Sequence, residues 1–245
     1  MFKDNRLLTS RTYPTTRLGR VLLLLLLWVV TQAQASLKIE GTRLIYFGKD
    51  KEASISVINQ TAQDTVLQSW ISHEDDNDTS ALPFAIVQPL VQLHSQERHL
   101  LRILYVGEGL PDDRESQLWL NIMEIPLKPE NPDSVQFAIR QRLKLFYRPP
   151  GLQGSASEAV QKLIWKKPDG QRIEIRNPTQ FHLSLIDVGI GSGSHTQKLS
   201  EYVFLKPGED RLIETPTIAI SADTKITFTE ITDIGLQTRH SANLQ

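Results

Sequence analysis

The feature that most constrains the fold is a repeated alternation of short aliphatic runs with turn residues. The runs are rich in Val, Ile, Leu and Thr and recur at a spacing of about ten residues. Such spacing is typical of antiparallel β-sandwiches. The chain shows no sustained helical period and no repeat of fixed length. The pattern therefore predicts an all-β protein.

The predicted strands fall into two groups, which suggests two sandwiches placed end to end. Those of the first half are Leu37–Phe47, Ala53–Asn59, Thr65–His73, Phe84–Val91, His99–Val106, Gln117–Ile125 and Val135–Tyr147. Those of the second half are Lys162–Lys166, Gln171–Arg176, Phe181–Ile190, Glu201–Leu205, Arg211–Thr215 and Lys225–Ile231.

The segment between the groups, RPPGLQGSASEA (Arg148–Ala159), lacks any strand pattern. Its adjacent prolines stiffen the chain, and its Gly and Ser residues favour turns. We therefore place a domain boundary here, between residues 36–148 and residues 149–245.

The first 35 residues have the organisation of a secretory signal peptide. Five basic residues and one acidic residue precede the apolar run Val21–Val30, and Ala33 and Ala35 form an A-x-A cleavage site. The apolar run is short for a membrane span, although an uncleaved membrane anchor is the alternative. Export is therefore predicted.

Charge and cysteine content exclude several classes of function. Cleavage after Ala35 removes six charged residues, so the 27 basic and 28 acidic residues of the chain become 22 and 27, a net charge of −5. A field of that sign disfavours nucleic acids and anionic membranes as general partners. The chain contains no cysteine, which excludes disulfides, thiolate metal sites and cysteine nucleophiles.

Catalytic and metal-binding motifs are not evident. The six histidines are scattered, and we predict no metal site and no cofactor. No G-x-S-x-G or P-loop pattern is present. The acidic run of Glu74, Asp75, Asp76 and Asp78 lacks the ligand spacing of a calcium loop, so a solvated loop is favoured.

The most informative stretch is VQFAIRQRLKLFYRPPG (Val135–Gly151). Val135, Phe137 and Ile139 alternate with Gln136 and Ala138 and are followed by Arg140, Arg142, Lys144 and Arg148. The apolar row is either the buried face of an ordinary strand or an exposed edge kept for docking another chain by β-strand addition. The residues alone leave both interpretations open.

Five segments resemble, in order, the periplasmic chaperones of chaperone–usher pilus assembly. They are TRLIYFG (Thr42–Gly48), DRESQLWLNIMEIP (Asp113–Pro126), RLKLFYRP (Arg142–Pro149), RIEIRNPTQFHLSL (Arg172–Leu185) and EITDIG (Glu230–Gly235). The resemblance extends over about residues 38–238. It implies two immunoglobulin-like β-sandwich domains set at an angle, with a cleft between them.

The resemblance also implies roles for eight residues. Arg43 and Lys144 match the cations that anchor the terminal carboxylate of a pilus subunit, a suitable pairing because cations bind carboxylates strongly. Val135, Phe137 and Ile139 match the apolar row of the strand that such chaperones donate to an incomplete subunit. Glu115, Arg148 and Asp233 match an interdomain charge network.

Parity raises a structural question about this assignment. The apolar row is odd-numbered and Lys144 is even-numbered, so a regular strand turns them to opposite faces. We therefore expect a bulge or sharp twist between Ile139 and Lys144 if both contact one client.

The resemblance implies a non-enzymatic chaperone of the periplasm that caps fimbrial subunits and delivers them to the outer-membrane usher. When free, such a chaperone is expected to form a self-capping homodimer. The short PLKPENPDS connection and the lack of cysteine resemble the short-loop subfamily. VQPLVQL (Val87–Leu93) departs from the family pattern by having one proline, Pro89.

Two functions of other classes remain as alternatives. One is a secreted immunoglobulin-like binding or adhesin module whose charged cleft binds a different acidic ligand. The other is an exported hydrolase, for which the sequence offers no motif.

Overall fold

The computed structural model describes residues 36–75, 77–128, 133, 135–169, 171–192, 195–215 and 224–245. The predicted signal peptide (1–35) and Asp76 of the acidic run lie outside the described residues. In the part that is described, no helix is both long enough and apolar enough to cross a membrane.

The first domain is a sandwich of two sheets. Its strands are β1 (Leu37–Ile39), β2 (Arg43–Phe47), β3 (Ala53–Asn59), β4 (Thr65–Ser72), β5 (Phe84–Val87), β6 (Leu90–Leu93), β7 (Arg98–Tyr105), β8 (Ser116–Pro126) and β9 (Ile139–Arg148). One sheet has the order β1-β3-β7-β5 and the other the order β2-β9-β8-β4-β6. Neighbouring strands are antiparallel except β2 and β9, which run parallel.

The second domain has the same two-layer design. It begins with α1 (Ala156–Ala159) and a 3-10 turn, followed by β10 (Ile164–Lys166), β11 (Arg172–Arg176), β12 (Leu183–Ser192), β13 (His195–Leu205), β14 (Asp210–Glu214), β15 (Lys225–Ile231) and β16 (Gln237–Asn243). Its sheets have the orders β10-β11-β14 and β13-β12-β15-β16.

Each domain has its own apolar core, built from alternate residues of its strands. Tyr46, Leu67 and Leu145 belong to the first core, and Trp165 and Phe228 belong to the second. Alternate positions reach the core because successive strand residues face opposite sides of a sheet. The predicted all-β fold with two immunoglobulin-like domains is confirmed.

Two predicted strands are divided between sheets. Leu37–Phe47 breaks into β1 and β2 around Gly41, whose φ of +151° is rarely adopted by other residues. Phe84–Val91 breaks into β5 and β6 at Gln88, which has a φ of +55°. A bend at each point lets the chain cross from one layer to the other, so the prediction of continuous strands was wrong.

Three further elements differ from the sequence prediction. β9 begins at Ile139, and residues 135–138 form no strand. β16 was missed because its sequence, QTRHSAN, is polar and exposed at most positions. The helix α1 was missed because four residues are too few for a periodic signal, although Ser155 caps it by accepting a hydrogen bond from Glu158 N at 3.2 Å.

The described residues of the acidic run, Glu74, Asp75 and Asp78, lie in the loop between β4 and β5, which belong to different sheets. Glu74 pairs with Lys206 of the second domain at 2.8 Å, and Asp75 and Asp78 accept backbone hydrogen bonds two residues ahead in the chain. Such local caps are typical of polar turns. Among the described residues no group of three or more His, Cys, Asp or Glu side chains could hold a metal ion.

Candidate functional site at the domain junction

Arg43 and Lys144 are direct neighbours across the parallel pair of β2 and β9. The register places Arg43 opposite Lys144 and continues to Phe47 opposite Arg148. Two cations at matched positions of adjacent strands project on the same side of the sheet. The fold thus brings together the two residues that the sequence placed about a hundred positions apart.

The Arg43 guanidinium is partly held by the second domain. Its Nη1 donates a hydrogen bond to the carbonyl of Ile231 at 3.0 Å, and its Cζ lies 6.0 Å from the Phe146 ring centroid. Its Nε is buried and has no hydrogen-bond partner within the described ranges. Burial lowers the pKa of Arg43. The side chain therefore retains an unsatisfied donor in the junction.

The Lys144 ammonium lies among aromatic rings. It donates a hydrogen bond to the Tyr202 hydroxyl, and it lies 3.3 Å from the Phe204 ring centroid and 6.0 Å from that of Trp119. Burial, followed by the charge of Arg43, lowers the pKa of Lys144 to about 7. The negative charge of Glu74 raises the pKa of Lys144 and so opposes part of this shift.

Neither cation forms an ion pair with a carboxylate of the residues that the structure describes. Two like charges in a partly desolvated site raise the free energy of the charged state, and an added anion reverses that effect. The arrangement can therefore accept an anion, and a carboxylate has the geometry to accept hydrogen bonds from both cations.

A charge network joins the two domains beside this pair. Arg148 lies 2.6 Å from Glu115 Oε1 and 2.8 Å from Asp233 Oδ2. Glu115 is buried, and its Oε2 accepts a hydrogen bond from His182 N at 2.8 Å. The Asp233 carboxylate sits in a turn in which Gly235 donates to the carbonyl of Thr232 at 2.9 Å. The three predicted network residues are thus in contact.

The apolar row lies before and at the start of β9 and is exposed. The exposed fractions are 79% for Val135, 77% for Phe137 and 53% for Ile139. Residues 139–143 pair with β8, whereas the register with β2 begins only at Lys144. In the part of the chain that is described, the outer edge of this half-strand therefore has no strand partner.

Comparison with known proteins identifies the family. Residues 36–153 match the model "Pili and flagellar-assembly chaperone, PapD N-terminal domain", and residues 158–242 match "Pili assembly chaperone PapD, C-terminal domain". The chain belongs to the PapD family of pilus-assembly chaperones. This is a non-enzymatic family of periplasmic proteins.

Individual relatives support the assignment. The chain is 41% identical over 150 residues to the chaperone protein LpfB of Salmonella typhimurium, a match covering 60% of this chain and 64% of that protein. It is 34% identical to the probable fimbrial chaperone LpfB of Escherichia coli O157:H7, covering 80% and 83%. It also matches a chain of the solved structure of Salmonella enterica SafA pilin in complex with the SafB chaperone, with 27% identity, a TM-score of 0.69, and coverage of 86% and 98%.

The expected bulge in the strand of this chaperone is absent. β8 and β9 pair without a register shift from Glu124–Ile139 to Ser116–Tyr147. Leu143 and Leu145 are buried, whereas Arg140 and Arg142 lie over the rings of Trp70 and Trp119 on the outer face. Ile139 and Lys144 therefore face opposite sides, and this register has no bulge between them.

An open strand edge resolves the parity question. A strand added to that edge lies beside both faces of the sheet, so it can contact side chains of either parity. In such a pairing the regular strand needs no distortion to place both Ile139 and Lys144 beside one partner.

The sequence did not identify the aromatic surroundings of Lys144. Tyr202 and Phe204 alternate with the buried Val203 and Leu205 on β13. This alternation is a sequence signal for a contact surface, because aromatic residues on the outward face of a half-buried strand are typical of interfaces. Only the fold places that strand beside Lys144.

Proposed function

We propose that this chaperone captures pilus subunits and anchors their terminal carboxylate between Arg43 and Lys144. The observation that carries the proposal is a pair of adjacent, register-matched cations at the inner end of an open strand edge. The structure of the SafB chaperone was solved in complex with the pilin SafA, and its likeness to this chain supports a pilin as the client class. A free carboxylate would satisfy the unpartnered Arg43 Nε and offset the repulsion between the two cations.

The exposed row supplies the second part of the proposed interaction. A subunit strand pairing with the outer edge of Ile139–Leu143 would gain backbone hydrogen bonds, and Val135, Phe137 and Ile139 would fill a groove in its incomplete sandwich. Burial of each such side chain contributes about 1.5–3 kcal/mol. In this proposal residues 135–138 become strand when the client binds.

The charge network has a positioning role in this proposal. Because Arg148 contacts both Glu115 and Asp233, it holds β9 against the second domain, which also supplies the Arg43 contact at Ile231. Glu115 and Asp233 thereby maintain the relative position of the groups that surround the carboxylate.

In this proposal the open edge of β9 also serves subunit transfer and self-capping. Transfer at the outer-membrane usher would exchange the donated strand for that of the next subunit, with no catalytic step. A free chaperone would protect its exposed row by forming a self-capping homodimer, because exposed apolar edges promote association. The lack of cysteine and the short connection between β8 and β9 support the short-loop type.

A co-purification experiment tests the proposal. The chaperone is expressed with a tag in the periplasm of a piliated host, and bound proteins are identified by mass spectrometry. We expect a small pilin with an incomplete sandwich, which should be absent when Arg43→Ala and Lys144→Ala are combined. Recovery of an unrelated acidic ligand in its place would favour a binding or adhesin module.

A further inference from the structure

One strand of the second domain directs two aromatic residues toward Lys144. Tyr202 and Phe204 occupy alternate positions of β13, opposite in direction to the buried Val203 and Leu205. Phe204 is held in place by stacking on His182, with ring centroids 5.5 Å apart and an interplanar angle of 12°. The surface beside the ammonium is therefore built on a rigid strand.

Tyr202 differs from Phe204 because it carries a polar group at this site. Its hydroxyl oxygen accepts a hydrogen bond from Lys144 Nζ. A phenol also has one O–H donor. Because the Tyr202 oxygen already accepts a hydrogen bond from the Lys144 ammonium, this O–H points away from Lys144. Burial raises the pKa of Tyr202, and the Ser184 hydroxyl and then the charge of Arg43 oppose part of that rise. The phenol thus remains a neutral donor near neutral pH.

Three donors therefore converge from three strands and two domains: the guanidinium on β2, the ammonium on β9 and the phenol on β13. A carboxylate has two oxygens with about four acceptor positions, so it can accept from all three. We propose that the Tyr202 hydroxyl is the third hydrogen-bond donor to the client's terminal carboxylate. This inference rests on the proposed function, and it makes the second domain part of the carboxylate receptor.

A matched pair of peptides tests the role of Tyr202. Each is an acetylated ten-residue peptide of alternating aliphatic and polar residues, made with either a free carboxylate or a carboxamide at its C terminus. Binding to the mature wild-type chaperone and to Tyr202→Phe is measured by isothermal titration calorimetry. The substitution keeps the ring beside Lys144 and removes only the hydroxyl.

We expect the wild-type protein to prefer the free carboxylate. Tyr202→Phe should weaken carboxylate binding about tenfold, the size of one hydrogen bond to a charged group, and leave carboxamide binding unchanged. Equal carboxylate affinity of Tyr202→Phe and the wild type overturns the role of Tyr202 while the anchor stands. A wild-type protein that binds both peptides equally overturns the anchor itself, and the Tyr202 donor with it.

Tyr105→Phe is the matched control. Tyr105 loses the same atom within the aromatic cluster of the first domain, where its ring lies 4.4 Å from that of Tyr147. It should bind both peptides as the wild type does. Thermal unfolding of the two variants shows whether either substitution acts through stability, since only Tyr202→Phe should alter the discrimination between the peptides.

Discussion

The two halves of β9 share one strand and one alternation, yet their surroundings differ. Residues 144–147 are paired on both sides, with β8 and β2, and Arg148 is paired with β2. This half contacts the second domain through Lys144 and Arg148. Residues 139–143 are paired with β8 alone among the described strands. The outer half is therefore suited to accept a partner strand, and the inner half to hold that partner's end.

The comparison also shows that chemical type does not set the role of an apolar residue. Ile139 and Leu145 both have odd numbers and lie on the same side of the strand, but Ile139 is exposed and Leu145 is fully buried. Leu143 is buried as well, so the core of the first domain reaches into the outer half and ends between Leu143 and Ile139. The following predictions test this division of the strand.

The largest effect is expected at the inner half. Arg43→Ala and Lys144→Ala should each weaken capture of the co-purifying subunit by about a hundredfold or more, because each removes a charged hydrogen-bond donor from a partly desolvated site. Circular dichroism should show a folded protein. Lys49→Ala, which removes an exposed cation beyond the end of β2, serves as the control. Normal subunit yield from either variant would contradict the assignment of Arg43 and Lys144 as the carboxylate anchor.

The second prediction contrasts the two apolar residues directly. Leu145→Ala should lower the free energy of unfolding by about 2–5 kcal/mol through loss of core packing. Ile139→Ala should change it by no more than about 0.5 kcal/mol, as for exposed positions. Chemical denaturation measures both values.

Ile139→Asp extends the same contrast to function. It should weaken subunit capture about tenfold or more with little change in stability, because a charge would enter the client's apolar groove. If the variant simply unfolds, the row belongs to the core of the first domain and strand donation is excluded.

The third prediction concerns pH. Lys144 has a pKa of about 7 in the free protein, and a bound carboxylate favours its charged form. Affinity for a free-carboxylate peptide should therefore fall by up to about tenfold per pH unit above pH 7. Lys144→Arg should flatten this profile, since arginine stays charged. Calorimetry between pH 6 and about 9 measures it.

The same shift has the opposite effect on stability. The unfolded chain keeps Lys144 protonated up to its ordinary pKa of 10.5, whereas the folded chain releases that proton near pH 7. The unfolded state thus binds more protons between these values, and the contribution of Lys144 to the free energy of unfolding rises with pH. Lys144→Met should remove this contribution in denaturation measured across that range.

The smallest effect is expected at the outer contact of Arg148. Asp233 is about one third exposed, so Asp233→Asn should cost about 1 kcal/mol or less. Glu115→Gln should cost more, because Glu115 is almost fully buried and accepts from both Arg148 and His182. Equal losses in thermal unfolding would contradict this ranking.

Much of the architecture could be predicted because alternation is a local property of the chain. Alternation indicated the sandwiches, and the Pro-Pro segment indicated where the strand series is interrupted. Breaks at Gly41 and Gln88 were not predicted, because the aliphatic runs on either side of each residue read as one strand, whereas the backbone changes sheets there. β16 was missed because it is polar and exposed and is ordered by pairing with β15.

The residues of the candidate site could be predicted from the sequence, but their surroundings could not. The amino-acid sequence by itself determined the fold class and the alternation of the apolar row, and through resemblance it predicted the residues of the anchor and the network. Only the tertiary structure decided that the row is exposed, that β9 runs without a bulge, and that Tyr202 contacts Lys144. The reason is physical: alternation specifies which side chains share a face, but burial and hydrogen bonding depend on what packs against that face.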